Sequence, residues 1–278
     1  MPPKFPLRGL KRDKACSGMK HIQSRDNPLF KELAKLAGSA RHRGKVNQTL
    51  LDGTHLLAAY LDSGNQPQHI LLNPAALGDA EITALLEHAA GVPVTQFDDK
   101  LFAELSELKT PTGILALIDL PQSAGAISDS RFPLLLEDIQ DPGNLGSILR
   151  SAAAAGCDAV FLSTGCADAW SPKVLRAAMG GHFLLRIYEQ QDLQSVAKAF
   201  SGALLAASLQ ATHSLYESDL RGNVAFLIGN EGAGLSEGLL NLATRKITIP
   251  MHGKIESLNA AAATAICLFE AVRQRQAQ

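Results

Sequence analysis

The chain has 278 residues, of which 46% are hydrophobic and 19% are charged; this length suffices for two domains, and the composition is typical of a soluble globular protein. No apolar run reaches the ~18 residues of a membrane span, and the N-terminus lacks the apolar core of a secretory signal, so we expect no membrane partner. The net charge of −1 conceals an asymmetry, because residues 1–50 carry a balance of +9 and the remaining residues a balance of −10. A strongly basic end suggests a polyanionic partner.

The N-terminal end is predicted to begin with a basic, disordered leader at residues 1–19, and Met19 opens a stretch that looks like a natural protein start. Residues 27–44 follow, with apolar residues at helical spacing and basic residues between them. The candidate phosphate-binding cations of this end are Arg25, Lys31, Lys35, Arg41, Arg43 and Lys45. The alternative is a basic surface that is merely solvated.

The next part of the chain alternates between strand and helix patterns. Strands are predicted near residues 49–52, 68–73 and 112–120, and helices at residues 54–64 and 80–89. Such alternation indicates a small α/β domain, which we assign to residues 20–118. Residues 119–130 have the composition of a linker.

From Phe132 the α/β pattern resumes and predicts a second domain, residues 131–278. Strands are predicted at residues 133–138, 159–163, 203–208, 224–229 and 246–250. Helices are predicted at residues 143–155, 171–180, 193–200 and 236–243 and at the C-terminal end. Strands that are separated by helices indicate a parallel sheet.

The four cysteines, at positions 16, 157, 166 and 267, show no CxxC spacing. Cysteines without such spacing are typical of reduced, structural thiols, so we expect a cytoplasmic protein. We expect no metal site, because the spacing of metal ligands is missing.

Three loops follow predicted strands and should lie at one edge of the sheet, where open α/β sheets bind ligands. The first loop leads to Asn144, which would suit an N-cap, and Arg150 lies six residues further along the same helix. The last loop contains Ser257 and Asn259, just before the final helix. Taken alone, these residues are more often caps or a surface charge than parts of a site.

The middle loop is rich in glycine. Glu231 lies among Gly229, Gly232 and Gly234, and glycines would let the backbone approach a ligand closely. These glycines do not form GxGxxG and no P-loop lysine follows, so the nucleotide-binding fingerprint is missing. Each loop alone is weak evidence for a ligand-binding site, and the three loops together are strong evidence for one.

The three loops carry a family resemblance. Residues 141–152 (DPGNLGSILRSA), 226–238 (FLIGNEGAGLSEG) and 249–270 (IPMHGKIESLNAAAATAICLFE) resemble, in order, the motifs of the SpoU (TrmH) family of RNA ribose 2′-O-methyltransferases in the SPOUT superfamily. Residues 20–118 are similar to the family's N-terminal substrate-binding domain. The resemblance implies an α/β fold whose C-terminal parallel sheet contains a trefoil knot, a feature that no spacing in the sequence could indicate.

The resemblance also implies methyl transfer from S-adenosylmethionine to a ribose 2′-OH. By motif position, the implied cofactor-binding residues are Gly229, Ile249, Leu258, Leu227, Ile228 and Met251. The implied catalytic residues are Arg150, Asn144, Glu231, Ser257 and Asn259. Because arginine stays protonated, we interpret Arg150 as a phosphate clamp and hydroxyl orienter that Glu231 holds by a bidentate pair, and the general base stays open.

The implied partner is structured RNA, with ribosomal RNA favoured and transfer RNA as the alternative. Two rival functions belong to other classes. A non-catalytic RNA-binding or ribosome-assembly factor is disfavoured by the intact motif residues. A small-molecule methyltransferase is disfavoured by the basic N-terminal end.

The final helix carries an apolar stripe. Its members recur at spacings of 4, 3, 4 and 3, and they are Leu258, Ala262, Ala265, Phe269 and Val272. Small alanines would allow two helices to approach closely. A core face within one chain is the alternative, and the homodimers of the resembled family favour an interface between two copies.

Overall fold

A computed structural model describes residues 19–121, 125–253 and 257–276. Apart from Met19, the predicted leader at residues 1–19 lies outside these described residues. The chain forms two sheets, one in each half. Within the described ranges, no helix is long and apolar enough to cross a bilayer.

The first sheet has five strands, in the order β1-β4-β3-β5-β2. The strands are β1 (Lys20–Ile22), β2 (Gln48–Asp52), β3 (His69–Leu72), β4 (Val94–Phe97) and β5 (Ile114–Asp119), and β5 runs antiparallel to β2 and β3. The helices around it are α1 (Pro28–Gly38), α2 (Ala40–Val46), α3 (Thr54–Asp62), α4 (Ala80–His88) and α5 (Asp99–Leu105). The predicted β2, α3, β3, α4 and β5 are confirmed, whereas β1, β4 and α5 were not predicted.

The helical pattern at residues 27–44 resolves into two helices rather than one. Ser39 has extended backbone angles, with φ −134° and ψ 110°, and it breaks the run between α1 and α2. Its N–H ends α1 by donating to Lys35 O, and its Oγ caps α2 by accepting from His42 N at 3.2 Å. A serine that caps the second helix favours two short helices over one continuous helix.

The second sheet has seven parallel strands, in the order β10-β12-β9-β11-β6-β7-β8. They are β6 (Pro133–Leu136), β7 (Ala159–Leu162), β8 (Arg186–Tyr188), β9 (Ala203–Ala207), β10 (His213–Ser214), β11 (Val224–Ile228) and β12 (Arg245–Thr248). The helices are α6 (Pro142–Ala155), α7 (Pro172–Ala178), α8 (Leu193–Ala199), α9 (Glu237–Leu242) and α10 (Ala260–Gln276). All the predicted strands and helices of this half are present, and β8 and β10 are additional short strands. The α/β class with a parallel C-terminal sheet is confirmed, while the trefoil knot stays an expectation of the resemblance.

Helices cover both faces of the second sheet, so its central strands are buried on both sides. Every residue of β6, β7 and β11 is buried. Because all seven strands run in one direction, their carboxyl ends meet at one edge. The strands β12, β9, β11 and β6 are neighbours in the sheet, in that order. The loops that follow them therefore lie side by side at this edge and form the site described below.

The two halves share one hydrophobic core. A single cluster of buried residues runs from Leu57 and Tyr60 on α3 to Leu149 on α6 and Phe226 on β11. The Tyr60 ring meets the edge of the Phe183 ring with a centroid distance of 5.1 Å. The two halves are thus packed against each other and not merely joined by the segment at residues 119–130.

The apolar stripe of α10 faces away from this core. Leu258, just before the helix, is 38% exposed and Phe269 is 47% exposed, and Ala262 is exposed as well. The opposite side of α10 is buried through Thr264, Cys267, Leu268 and Ala271. Ala265 and Val272 are half-buried and no stripe residue is fully buried, so burial does not favour the alternative that the stripe is a core face of the single chain.

Candidate active site

A cavity of about 290 Å³ lies at the carboxyl edge of the second sheet. Its walls are the loops after β9, β11 and β12 and the first turns of α10. The residues that line it include Ile228 at the end of β11 and, from the loops, Gly229, Asn230, Glu231, Gly232, Ile249, Met251, Ser257 and Leu258. Among the described lining residues, Glu231 is the one charged side chain. Mostly apolar walls with a few polar groups at the rim are typical of a pocket for a small organic cofactor.

The cavity brings together five of the six residues predicted to bind the cofactor: Ile228, Gly229, Ile249, Met251 and Leu258. The prediction was wrong for Leu227, which is fully buried in a smaller core cluster with Leu135 and Phe161. Successive side chains of a strand point to opposite faces of the sheet. Since Ile228 belongs to the face with the cavity, its neighbour Leu227 must belong to the other face.

The loop after β11 is organised by Asn230, a residue that the sequence analysis did not single out. Its Oδ1 accepts hydrogen bonds from Gly232 N at 2.8 Å and Ala233 N at 3.1 Å. Its Nδ2 donates to the carbonyl of Asp138 at 3.0 Å, just beyond β6. An asparagine that precedes a glycine-rich turn commonly bonds its own loop in this way, and that signal could have identified it.

A second hydrogen bond connects the same two loops. The Glu137 Oε2 accepts from Ser236 N at 2.7 Å, at the point where α9 begins. The loops after β6 and β11 are therefore held together at both ends of the glycine-rich segment.

Gly229 is required by the protein's own backbone. A Cβ at this position would lie 2.3 Å from the carbonyl carbon and oxygen of Gly234 and 2.5 Å from Leu235 N. Gly234 itself has a φ of +71°, which favours glycine. These glycines were expected to allow close approach by a ligand, whereas at Gly229 the close approach is between two parts of one loop.

Asn144 lies in the first turn of α6, but it is not the N-cap that was predicted. Asp141 is the cap, since its Oδ1 accepts from Asn144 N at 2.8 Å and Pro142 occupies the first position of the helix. A proline at that position and an aspartate before it are a typical helix start. The Asn144 side chain is consequently free to point toward the neighbouring loop.

Three predicted catalytic residues meet at the rim of the cavity. The Asn144 Nδ2 donates to Glu231 Oε1. The Asn259 Nδ2 donates to Asn144 Oδ1 over a long 3.4 Å, and Asn259 Oδ1 caps α10 by accepting from Ala262 N at 2.8 Å. Ser257 lines the cavity nearby. One side chain from each of the three motif loops thus contributes to a single polar cluster.

Arg150 does not join this cluster. It is exposed, and it lines a separate groove of about 380 Å³ between α3 and the segment 179–184. The predicted ion pair between Arg150 and Glu231 is wrong, and Arg150 has no hydrogen-bond or ion-pair partner among the described residues. Six residues along an α-helix correspond to a rotation of about 240°, so Asn144 and Arg150 cannot share one face.

Cys267 forms part of the cavity wall from inside α10. Burial raises the pKa of its thiol to about 12. The thiol is therefore protonated at neutral pH and contributes as an apolar wall, since thiolate is the reactive form.

The candidate RNA-binding cations divide into two groups. Arg41 and Lys45 are exposed, lie one turn apart on α2, and have no partner among the described residues. Three others are exposed but paired: Arg25 with Glu104, Lys31 with Asp26, and Lys35 with Glu32. Exposed pairs of this kind are weak and can be exchanged for a phosphate.

The prediction that Arg43 binds an RNA phosphate was wrong. It is 5% exposed, and its guanidinium is directed into the protein toward Asp168. A buried, fully bonded guanidinium cannot contact RNA. In the predicted helix, position 43 falls seven residues after Leu36, on the apolar side, and that spacing could have indicated burial.

The packing around Gly229 gives a testable consequence. Gly229→Val should displace the loop and, through overpacking of about 1–3 kcal/mol, lower the affinity for S-adenosylmethionine at least about tenfold. Gly222→Val is the matched control and should keep wild-type affinity, because a Cβ there would meet nothing within 4 Å and Gly222 does not line the cavity. Titration calorimetry measures both, and wild-type affinity in Gly229→Val would contradict this account of the loop.

Comparison with known proteins agrees with this geometry. Residues 131–269 match the SpoU rRNA methylase family, and residues 27–116 match an MRM3-like substrate-binding domain. The chain is 36% identical to an uncharacterized tRNA/rRNA methyltransferase of Synechocystis sp., covering 94% of this chain and 96% of that protein. It is 34% identical to the 23S rRNA (guanosine(2553)-2′-O)-methyltransferase RlmP of Bacillus subtilis, covering 90% and 98%.

Solved structures resemble the fold over most of its length. A crystal structure of an RNA 2′-O ribose methyltransferase has a TM-score of 0.77 at 31% identity and covers 92% of this chain and 99% of its own. The AdoMet-bound rRNA methyltransferase from Sinorhizobium meliloti has a TM-score of 0.78 at 27% identity and covers 92% and 98%. The chain therefore belongs to the SpoU family and is an S-adenosylmethionine-dependent RNA 2′-O-ribose methyltransferase.

Proposed function

We propose that the RNA is ribosomal RNA, and that the methyl group is transferred at the rim of the cavity at the carboxyl edge of the second sheet. The observation that carries the proposal is the cluster of Asn144, Glu231 and Asn259, one residue from each motif loop, beside a cavity with apolar walls. The rRNA methyltransferases among the relatives support ribosomal RNA over transfer RNA. An intact cluster also favours an enzyme over a non-catalytic RNA-binding factor.

Residues 131–278 form the methyltransferase unit in this proposal, residues 20–118 the RNA-binding unit, and residues 119–130 the linker. The cytoplasmic location stays a prediction of the sequence. The cluster at the rim and the cations on α2 are assigned to different units, so catalysis and RNA binding can be tested separately.

Bound S-adenosylmethionine supplies an already activated methyl group. Ile228, Ile249, Met251 and Leu258 would enclose its apolar parts and exclude water. Glu231 would contribute the one carboxylate among the described lining residues, and a negative charge there favours a cofactor that carries a positive charge. The main task left to the chain is to align the ribose hydroxyl and assist removal of its proton.

Asn144 and Asn259 are suited to that alignment. Their amides are held at the rim, by Glu231 in one case and by the cap of α10 in the other. Each amide can both donate and accept a hydrogen bond, which suits a 2′-OH that does the same. Ser257 would add a hydroxyl at the same rim.

The reaction is tested by measuring ribose methylation. Mass spectrometry of ribosomal and transfer RNA from cells with and without the gene should show one 2′-O-methyl group lost from ribosomal RNA. Loss from transfer RNA would overturn the choice of substrate. No loss from either RNA would overturn the assignment of a cellular RNA substrate.

Arg150, which lies outside the rim cluster, is proposed to hold a phosphate of the bound RNA and thereby to position the ribose at the rim. Its planar fork suits a phosphate, and lysine cannot reproduce the geometry. Arg150→Ala should slow single-turnover methylation about 100-fold, because misplaced reactants lose that much, while S-adenosylmethionine still binds. Arg150→Lys should stay badly impaired although the charge is kept. Near-wild-type turnover by Arg150→Ala would remove this residue from the mechanism.

The exposed cations of α1 and α2 are proposed to bind the RNA backbone. The double reversal Arg41→Glu and Lys45→Glu should weaken RNA binding. It should also make the slope of log K against log salt concentration shallower, by the amount that about two phosphate contacts contribute. Lys198→Glu on α8 is the control, an exposed lysine on the other unit whose reversal should leave the slope in place. Filter binding from low to moderate salt measures all three. An unchanged slope in the double variant would show a merely solvated surface.

A homodimer through the α10 stripe completes the proposal. The exposed Leu258, Ala262 and Phe269 support it, since an apolar stripe with small residues is suited to a second copy of the same helix. Light scattering coupled to size exclusion should report twice the chain mass for the wild-type protein and one chain mass for Ala262→Glu. Ala199→Glu, at an exposed alanine at the end of α8, should leave the dimer intact. A monomeric wild type would refute this interface.

A further inference from the structure

Arg43 lies at the junction of the two units and bonds to both. Its Nη1 donates to the carbonyls of Leu36 at 2.5 Å and Ala37 at 3.1 Å, at the C-terminal end of α1. Its Nε and Nη2 donate to Asp168 Oδ2 at 2.9 and 2.5 Å. One guanidinium therefore joins the last turn of α1 to the loop after β7 in the methyltransferase unit.

The loop that receives this contact is itself firmly held. The Asp168 Oδ1 accepts from Trp170 N at 2.9 Å, and Trp170 O accepts from the buried hydroxyl of Thr49 on β2 at 2.8 Å. The N–H of Ala169 donates to Glu189 Oε1 at 2.9 Å. His182 Nε2 lies 2.7 Å from Ala169 O. Residues 168–170 thus have little freedom to follow Arg43 if it moves.

His182 contributes as a neutral donor. It is fully buried, and burial lowers the pKa of its ring to about 4. At neutral pH the ring therefore carries one N–H, which it can donate to Ala169 O. The junction keeps this bond throughout the physiological range of pH.

The same loop is connected to the cofactor cavity. Ala167 N donates to Ile139 O at 2.8 Å, on the segment that follows β6. The preceding residue, Asp138, accepts the Asn230 Nδ2 hydrogen bond that organises the glycine-rich loop. A continuous set of backbone and side-chain bonds therefore leads from the RNA-binding unit to the cavity rim.

An ion pair is not needed here for stability alone. Removing a buried pair from water costs about as much as its attraction returns, and apolar residues of similar volume are often as stabilising. An apolar side chain forms no hydrogen bonds, so it cannot fix the orientation of α1 relative to Asp168. The planar guanidinium bonds three acceptors, and it fixes α1 relative to Asp168 in one geometry.

We propose that Arg43 is a positioning residue for methyl transfer, and that Asp168 is its partner. The pair fixes the RNA-binding helices relative to the cofactor loop, so that RNA held on α1 and α2 presents one ribose at the cavity rim. This inference rests on the proposed function of the site. Arg43 itself touches neither RNA nor the cofactor.

Arg43→Met and Asp168→Asn test the pair. Asp168→Asn keeps an acceptor for Trp170 N, but an amide nitrogen replaces the Oδ2 that accepts from Arg43, so the variant removes the charge and both bonds to the guanidinium. The matched control is the exposed pair of Arg221 and Asp219, joined at 2.8 and 3.0 Å, changed to Arg221→Met and Asp219→Asn. Melting temperature, cofactor affinity, RNA affinity and single-turnover rate at saturating RNA are measured on the full chain.

A positioning role predicts that the single-turnover rate at saturating RNA falls at least about tenfold in both junction variants, since small displacements of a bound hydroxyl are costly. The affinities for S-adenosylmethionine and RNA should stay within about threefold of wild type, because neither ligand touches the pair. The control pair should match wild type in every measurement.

A wild-type rate in both junction variants would overturn the proposal. Parallel loss of rate and of cofactor binding in Asp168→Asn, the milder change, would also overturn it, because the pair would then only maintain the fold. A wild-type protein that binds S-adenosylmethionine but methylates no ribosomal RNA would contradict the proposed function instead. In that case the same variants are assayed with transfer RNA: at least a tenfold loss of single-turnover rate in both junction variants supports the positioning role, and a wild-type rate, or no methylation of either RNA, overturns it.

Discussion

The active site depends on the hydrogen bond between the Asn230 side chain and the Asp138 carbonyl. Parallel strands bring the loops after β6 and β11 to one edge of the sheet, but they do not determine how these loops face each other. The Asn230 amide does so by bonding the β6 loop with its nitrogen and its own glycine-rich turn with its oxygen. Glu231 follows directly in the chain, so this anchor also determines where its carboxylate meets Asn144.

The architecture was largely predictable because β7, β9 and β11, at the centre of the second sheet, consist entirely of apolar residues. The strands of the second sheet that were missed, β8 and β10, have three and two residues, too few to establish a period. The break at Ser39 was missed for a different reason. The apolar spacing of Leu29, Leu33 and Leu36 continues to Ala40 at the start of α2, so only the capping chemistry of Ser39 distinguishes two helices from one.

The site was predictable at the level of loops and less so at the level of side chains. The edge rule correctly brought Asn144, Glu231 and Asn259 together, because it depends only on strand direction. The errors came from rotation about an element's axis. Leu227 is one residue from the cavity face of its strand, and Arg150 is six residues from Asn144 on a helix. In both cases geometry assigns the side chain to another face, although the residue lies close in sequence.

Helix α2 shows why charge alone cannot assign function. Arg41 and Arg43 are two residues apart, which on a helix corresponds to about 200° of rotation. One is exposed to any polyanion and the other is buried against Asp168. Because the helix has only seven residues, a force that RNA exerts on Arg41 or Lys45 is applied within a turn or two of the guanidinium that joins the units. The same short helix can therefore both hold the RNA and transmit its position to the cofactor loop, provided that the ion pair between Arg43 and Asp168 stays intact.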